Sequence, residues 1–100
     1  MAKKNTAKAD PGRTRLDLEF ERQDLLGGLF GEYDQNLVAI ENRLGVYIAA
    51  RGNQLTIEGD AENAERARDV LTGLYNRLAK GQEIDAGAVS AVIAMSAEPT

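Results

Sequence analysis

Apolar and acidic residues alternate near the start of the chain, where Leu16, Leu18 and Phe20 are separated by Asp17 and Glu19. A period of two is typical of a strand with one buried face and one solvated face. The pattern therefore predicts a first strand that packs its leucine side on a core.

A second alternating region lies in the middle of the chain. Apolar residues recur at every second position in 46–50, and again at Leu55 and Ile57. The dipeptide Gly52-Asn53 separates the two segments, and Gly and Asn tolerate the positive φ angles of a two-residue hairpin loop. The sequence therefore predicts a β-hairpin here.

Two helices are predicted between the first strand and the hairpin. The first is short, with Asp24 as its expected cap, and its Gly27 and Gly28 indicate close packing against a neighbour. The second helix ends at Gly45, which is a favourable residue for a C-terminal stop. Its apolar residues recur at spacings of three and four and are Leu37, Ile40 and Leu44.

Two more helices are predicted after the hairpin. A long one begins at the cap Asp60 and ends at Gly81. A short one begins at the cap Asp85, with Ile84 and Val89 as a hydrophobic staple. The apolar stripe of the long helix consists of Ala64, Ala67, Leu71, Leu74 and Leu78.

The order of these elements predicts an α+β fold of the βααββα type. A three-stranded sheet is expected to be packed on one side by helices, with a short extra C-terminal helix. The predicted organisation is a disordered basic leader over residues 1–14, the folded domain over 15–81, and a short helix with a linker over 82–100.

Composition removes most catalytic classes. The chain has no Cys, His or Trp, so disulfides, thiolate nucleophiles, imidazole bases and the usual zinc ligand sets are excluded. We therefore expect this chain not to be an enzyme. The N-terminal lysines are followed by no apolar run, which predicts a cytoplasmic protein without a membrane partner.

Charge is distributed unevenly along the chain. Residues 1–15 carry five basic side chains and one acidic one, whereas residues 16–79 carry twelve carboxylates and six arginines. The leader is interpreted either as a solubilising segment or as a non-specific phosphate-binding arm. The folded part is acidic, so any contact with nucleic acid must be local.

The element order and several residues resemble the type I KH domain. In that family a helix ends in a Gly-x-x-Gly loop, and a second helix, a glycine and an edge strand follow. The resemblance implies the same topology and a surface for single-stranded nucleic acid. The corresponding residues in this chain are Gly31, Leu37, Ile40, Gly45 and Ile48.

The resemblance aligns the Gly-x-x-Gly loop with Gly31-Glu32-Tyr33-Asp34, so an aspartate replaces the last glycine. The family's loop lets phosphates approach bare backbone N–H groups. A carboxylate about 4 Å from a phosphate costs roughly 1 kcal/mol in water and about 4 kcal/mol at a protein surface. We therefore expect weak binding through this loop.

A narrower resemblance, covering most of residues 16–85, is to the N-terminal domain of PhoH-like proteins. It is carried by the altered loop, by residues 37–46 and by Arg51-Gly52-Asn53. That family continues into a P-loop ATPase domain and is linked with RNA metabolism and phosphate starvation in bacteria. The resemblance implies that ATP and Mg²⁺ bind to that ATPase domain. This chain contains no Gly-x-x-x-x-Gly-Lys-Ser/Thr motif, so no cofactor is expected to bind to the chain itself.

Some of the candidate residues have alternative roles. Tyr33 can stack on a base or fold back and staple the two helices together. Arg43 and Arg51 can contact RNA; alternatively, Arg43 pairs with a carboxylate and Arg51 protects an edge strand from aggregation. The candidate nucleic-acid-binding residues are Gly31, Tyr33, Gln35, Asn36, Arg43 and Arg51.

Two functions follow from the resemblance and the charges. The first is an accessory RNA-binding module of a PhoH-like ATP-binding protein, non-catalytic by itself. The alternative is an interaction or assembly module that packs on the ATPase domain or on other subunits and binds no nucleic acid. Its expected contact surface is the apolar side of the last helix, around Val89, Val92 and Ile93.

Overall fold

The computed structural model describes residues 13–96. Short 3-10 turns at Gln23–Leu25 and Glu32–Asp34 precede the first and second helices. The described strands and helices, in chain order, are β1 (Arg13–Glu19), α1 (Leu26–Phe30), α2 (Gln35–Leu44), β2 (Tyr47–Arg51), β3 (Gln54–Asp60), α3 (Ala61–Ala79) and α4 (Ala86–Ser96).

The three described strands form one antiparallel sheet in the order β1-β3-β2. Leu16 lies opposite Ile57, and Ile57 lies opposite Ile48, so these side chains share one face. The helices cover that face, while the other face is solvated. The predicted α+β class, the βααββα order and the extra C-terminal helix are confirmed.

The hairpin forms where the sequence predicted it. Arg51 pairs with Gln54, and Gly52 between them has a φ of +56°. Asn53 has a second role that the pattern did not indicate. Its backbone carbonyl accepts from the Phe20 N–H at 3.0 Å, and its Nδ2 donates to the Phe20 carbonyl at 3.1 Å. The hairpin loop thereby holds the end of β1 in register.

The core lies between the sheet and the helices. Leu29 of α1, Ile40 of α2 and Leu71 of α3 have no exposed surface. The predicted close packing of the α1 glycines holds for Gly28, where an added Cβ would lie 3.4 Å from the Leu78 side chain; at Gly27 it would contact nothing within 4 Å. The buried residues of α3 are Ala64, Ala67, Val70, Leu71 and Leu74.

The last helix packs into the same core. The Asp85 carboxylate accepts from the Ala88 N–H at 2.8 Å, as expected of an N-cap. Val89 and Ile93 are only 1% and 2% exposed, because α4 packs against α2 and α3. The expectation that Val89, Val92 and Ile93 form a surface for a partner is therefore wrong for Val89 and Ile93, which the domain itself covers, while Val92 is half-buried.

Two other expectations about the first helix and the leader need adjustment. Asp24 does not cap the first helix: it lies inside the 3-10 turn, Leu25 occupies the N-cap position, and the Asp24 carboxylate pairs with Arg22 at 2.8 Å. Arg13 and Thr14, assigned to the leader, pair with Asp60 and Gly59 as part of β1. The rest of the predicted leader, residues 1–12, lies outside the described residues. No helix within residues 13–96 has the length and apolar character needed to cross a bilayer.

Candidate nucleic-acid interface

The turn between α1 and α2 has an unusual backbone. Gly31 has φ 80° and ψ 174°, a region that is essentially restricted to glycine. Tyr33 and Asp34 follow with φ of 56° and 57°, both left-handed. That conformation costs an L-residue about 1–2 kcal/mol, and aspartate tolerates it better than tyrosine does. The surrounding structure must therefore hold this turn in place.

Asn36 is the residue that holds the turn. Its side chain is 4% exposed, and its Nδ2 lies 3.2 Å from the Leu29 carbonyl and 3.4 Å from the Gly28 carbonyl. These two carbonyls belong to the last turn of α1, where no backbone N–H of the helix is left to reach them. Asn36 thus joins the end of α1 to the start of α2. Its buried amide serves the fold and does not face a ligand, contrary to its candidate role.

The close fit between Asn36 and Gly31 explains the glycine. A Cβ added at position 31 would lie 2.8 Å from the Asn36 Nδ2 and 3.0 Å from the Gln35 Cγ. Two requirements, the positive φ and the lack of space, therefore select glycine at the same position. Gly31 shapes the turn from within.

Tyr33 points away from the protein and is 94% exposed. The alternative role, in which its ring staples the two helices, is excluded by that exposure. Glu32, Asp34 and Gln35 are exposed beside it. The turn therefore presents one aromatic ring to solvent between two carboxylates.

Arg43 extends this surface along α2. Gln35, Ala39 and Arg43 recur at intervals of four residues, so they lie in one row that starts at the turn. The row is about 12 Å long at 1.5 Å per residue. Arg43 is exposed, and no ion pair connects it to a carboxylate within residues 13–96. The alternative prediction, that Arg43 pairs with a neighbouring carboxylate, is therefore not met within the described residues.

Arg51 lies on a different surface. It is opposite Gln54 in the register, on the sheet face turned away from the helices. There it lines a shallow depression of about 400 Å³ together with Arg15, Asp17 and Thr56. Tyr33 and Gln35 thus lie at the turn and Arg43 lies about 12 Å farther along the same row of α2, whereas Arg51 lies on the opposite face of the sheet.

Glu41 is a site residue that the sequence analysis missed. Its Oε2 accepts from the Ile48 N–H at 2.7 Å, at the open edge of β2. Its backbone carbonyl also accepts from Gly45 and Val46, which turn the chain from α2 into β2. Glu41 therefore occupies the edge donor that would otherwise be available to a ligand between α2 and β2. The only indication of this role in the sequence was the position of Glu41, next to the apolar Ile40 and three residues before Leu44.

Among the described residues outside the turn, a shifted pKa is found for the pair Arg22 and Asp24. A hydrogen bond from the Arg22 guanidinium lowers the pKa of the Asp24 carboxyl below its usual value, and the same bond raises the pKa of Arg22. Both side chains are exposed, so this pair is a surface feature. Residues 13–96 contain no group of three or more carboxylates arranged to hold a metal ion.

The sheet order, the helices on one face and the glycine-dependent turn define an α+β domain of the βααββα type. A crystal structure of a protein of unknown function from Aeropyrum pernix has the same fold. It superimposes with a TM-score of 0.64 over 87% of this chain and 46% of its own, at 20% sequence identity.

Sequence comparison relates the chain to a more particular group. The PhoH-like proteins of Mycobacterium tuberculosis and Mycobacterium bovis are 35% identical to it over 72 residues. The matched region is 72% of this chain and 20% of those relatives, so the chain spans about a fifth of their length. No protein-family model matches the chain. The chain is thus similar to one part of a PhoH-like protein.

Proposed function

We propose that this chain is a KH-like accessory domain of a PhoH-like protein and that it contacts single-stranded RNA through the turn that carries Tyr33. The exposure of Tyr33 is the observation on which this proposal depends. A large aromatic side chain that is 94% exposed, on a left-handed backbone, contributes little to the core. Such strained positions cluster at functional sites.

Stacking is the interaction that this geometry favours. Every base has a π face, and stacking on an exposed aromatic contributes about 1–3 kcal/mol per base without sequence preference. Arg43 and Gln35, in the row that starts at the turn, supply a cation and an amide for the adjoining backbone. Glu32 and Asp34 repel the phosphates, so the contact is weak and local.

Catalysis lies outside this chain in the proposal. The ATP and Mg²⁺ site would belong to another part of the PhoH-like protein, which would use this domain to position RNA. The partners of the domain would then be RNA, the ATP-binding part of the same protein and neighbouring subunits.

A tyrosine comparison tests the proposal. We expect Tyr33→Ala to weaken binding of labelled single-stranded RNA by about 5- to 100-fold, which corresponds to loss of one stacked base. The matched control is Tyr47→Ala, because Tyr47 is 60% exposed but lies on the solvated sheet face. Amide shifts recorded during the titration locate the contact. Equal affinities for Tyr33→Ala and the control, or no shifts near Tyr33 at millimolar RNA, would refute it.

A second candidate function is supported by the acidic surface. Glu32, Asp34 and Glu41 stand at the turn and at the β2 edge, where a polyanion would approach. The alternative is therefore an interaction module that packs on the rest of the protein and binds no RNA. The same titration separates the two, since an interaction module would give no shifts with RNA at any salt concentration.

A further inference from the structure

The outer edge of β1 is an unpaired sheet edge within the described residues. The Phe20 N–H donates to the Asn53 carbonyl of the hairpin loop. The backbone N–H and C=O groups of the even-numbered residues of this strand therefore point toward β3. Alternate residues of an antiparallel pair exchange the ladder bonds. The N–H and C=O groups of the odd-numbered positions therefore point outward, and no residue of 13–96 bonds to them. These positions are Arg13, Arg15, Asp17 and Glu19.

The charges along this edge are self-complementary. Read from the N-terminal end, two arginines are followed by two carboxylates at alternate positions, with Leu16 at the centre, so the reversed strand carries the opposite charge at each of these positions. In an antiparallel pair of two such strands centred on Leu16, Arg13 lies opposite Glu19 of the other copy. Arg15 likewise lies opposite Asp17. All four cross-strand pairs have opposite charges, and such pairs favour this register over shifted ones.

The hydrogen-bonding pattern selects the same register. Centring the pair on Leu16 places each odd-numbered residue opposite an odd-numbered residue. Because those are the positions with outward backbone groups, the two strands can exchange a full set of ladder bonds. A shift by one residue would place outward groups opposite inward ones and remove these bonds. Charge and backbone geometry thus agree independently.

The buried face of the strand also favours a second copy. Leu16 and Leu18 point to the helix-covered face, yet both are only half-buried, because β1 is the outermost strand there. In the centred pair, Leu16 of one copy lies directly opposite Leu16 of the other. Pairing would therefore cover apolar surface that the single domain leaves partly exposed.

We propose that two copies of this chain associate through their β1 edges into a two-fold symmetric dimer with a continuous six-stranded sheet. Arg15 and Asp17, whose Nε and Oδ1 lie 3.6 Å apart in the single domain, then pair across the strands. The proposal does not depend on RNA binding, since the edge lies on the sheet and not at the turn. Edge pairing buries little area, so we expect dissociation constants on the order of 0.1–1 mM.

Charge exchange tests the pairing. We compare the double variant Arg13→Glu with Arg15→Asp and the double variant Asp17→Arg with Glu19→Arg, in sedimentation up to about 1 mM protein. Each variant alone places like charges opposite each other and should stay monomeric, whereas an equimolar mixture restores every pair and should form dimers. A monomeric wild-type chain at 1 mM, or variants that dimerise as well as wild type, would overturn the proposal.

A cysteine comparison tests the register, because the chain has no cysteine of its own. Leu16→Cys places two thiols directly opposite, where Cα atoms are about 4.5 Å apart and can be bridged. Leu18→Cys is the matched control: its partner across the pair is Thr14, and the two copies of position 18 are roughly 13 Å apart. Oxidation should cross-link only Leu16→Cys. Equal cross-linking of both variants, or of neither, contradicts the centred pairing.

Discussion

Replacement of Gly31 by alanine is expected to destabilise the domain by about 2–4 kcal/mol. The backbone conformation of Gly31 is unfavourable for any residue with a Cβ. The new Cβ would also lie 2.8 Å from Asn36, whose side chain must then move and release the carbonyls at the end of α1. Both effects act on the same junction between the two helices.

Thermal unfolding of Gly31→Ala, followed by circular dichroism, measures this effect, and we expect Tm to fall by roughly 10–25 °C. Gly45→Ala is the matched control at the other end of α2. Gly45 also has a positive φ, of 67°, but an added Cβ there would meet nothing within 4 Å. It should lose only about 1 kcal/mol. Similar losses for the two variants would show that the contact with Asn36 does not stabilise the turn.

Replacement of Ile93 by alanine is expected to cost about 2–4 kcal/mol, the usual range for removing a buried isoleucine side chain. Ile93 is 2% exposed and lies where α4 packs on the core. An equally large effect is not expected on the solvated side of the same helix.

Met95 provides that comparison, because it is 63% exposed and only two residues from Ile93. Urea unfolding of Met95→Ala should give a free energy of unfolding within about 0.5 kcal/mol of wild type. If Ile93→Ala proved equally mild, α4 would be a loosely attached segment, and the predicted division of the chain at residue 81 would describe the folding unit better.

Periodicity was sufficient for the strands and most of the helices. The alternation in β1 and in the hairpin gives one buried face, and one-residue shifts would expose all of it. Gly52-Asn53 fixes the turn length between β2 and β3. The three-stranded sheet and the order of elements could therefore be predicted before the structure was known.

The burial of α4 could not be predicted in the same way. The helix has no charged residue, and apolar residues surround its axis, so its sequence does not indicate which side is buried. Val89, Val92 and Ile93 were expected to be available to a partner because so small a domain was expected to leave this helix little core to cover. Only the packing of α4 on α2 and α3 decides the question.

The hydrogen-bond partners of polar side chains at the junctions between elements could not be predicted from the sequence either. Asn36 donates to the Leu29 carbonyl at the end of α1. Glu41 accepts from the Ile48 N–H at the edge of the sheet. Asp24 lies inside the 3-10 turn and not at the N-cap of α1, and its carboxylate accepts from the neighbouring Arg22 guanidinium. Each outcome depends on which donor or acceptor tertiary packing brings within reach.

The turn that carries Tyr33 is held by specific contacts, but its charges differ from those of a Gly-x-x-Gly loop. Gly31 and Asn36 hold it firmly, whereas Glu32 and Asp34 give it the wrong charge for a phosphate grip. The domain keeps an exposed aromatic ring on a fixed backbone. Under the proposed function, stacking of a base on Tyr33 would therefore contribute more to RNA binding than phosphate contacts at the turn.

The most direct test of this account is RNA binding by a turn without its carboxylates. In Glu32→Gln with Asp34→Asn, the backbone should persist because asparagine tolerates the left-handed region. Removal of two like charges should tighten binding by at least about 5-fold at low salt, with the largest amide shifts at Tyr33 and Arg43. Unchanged affinity, or shifts absent from the turn, would contradict the claim that RNA binds there.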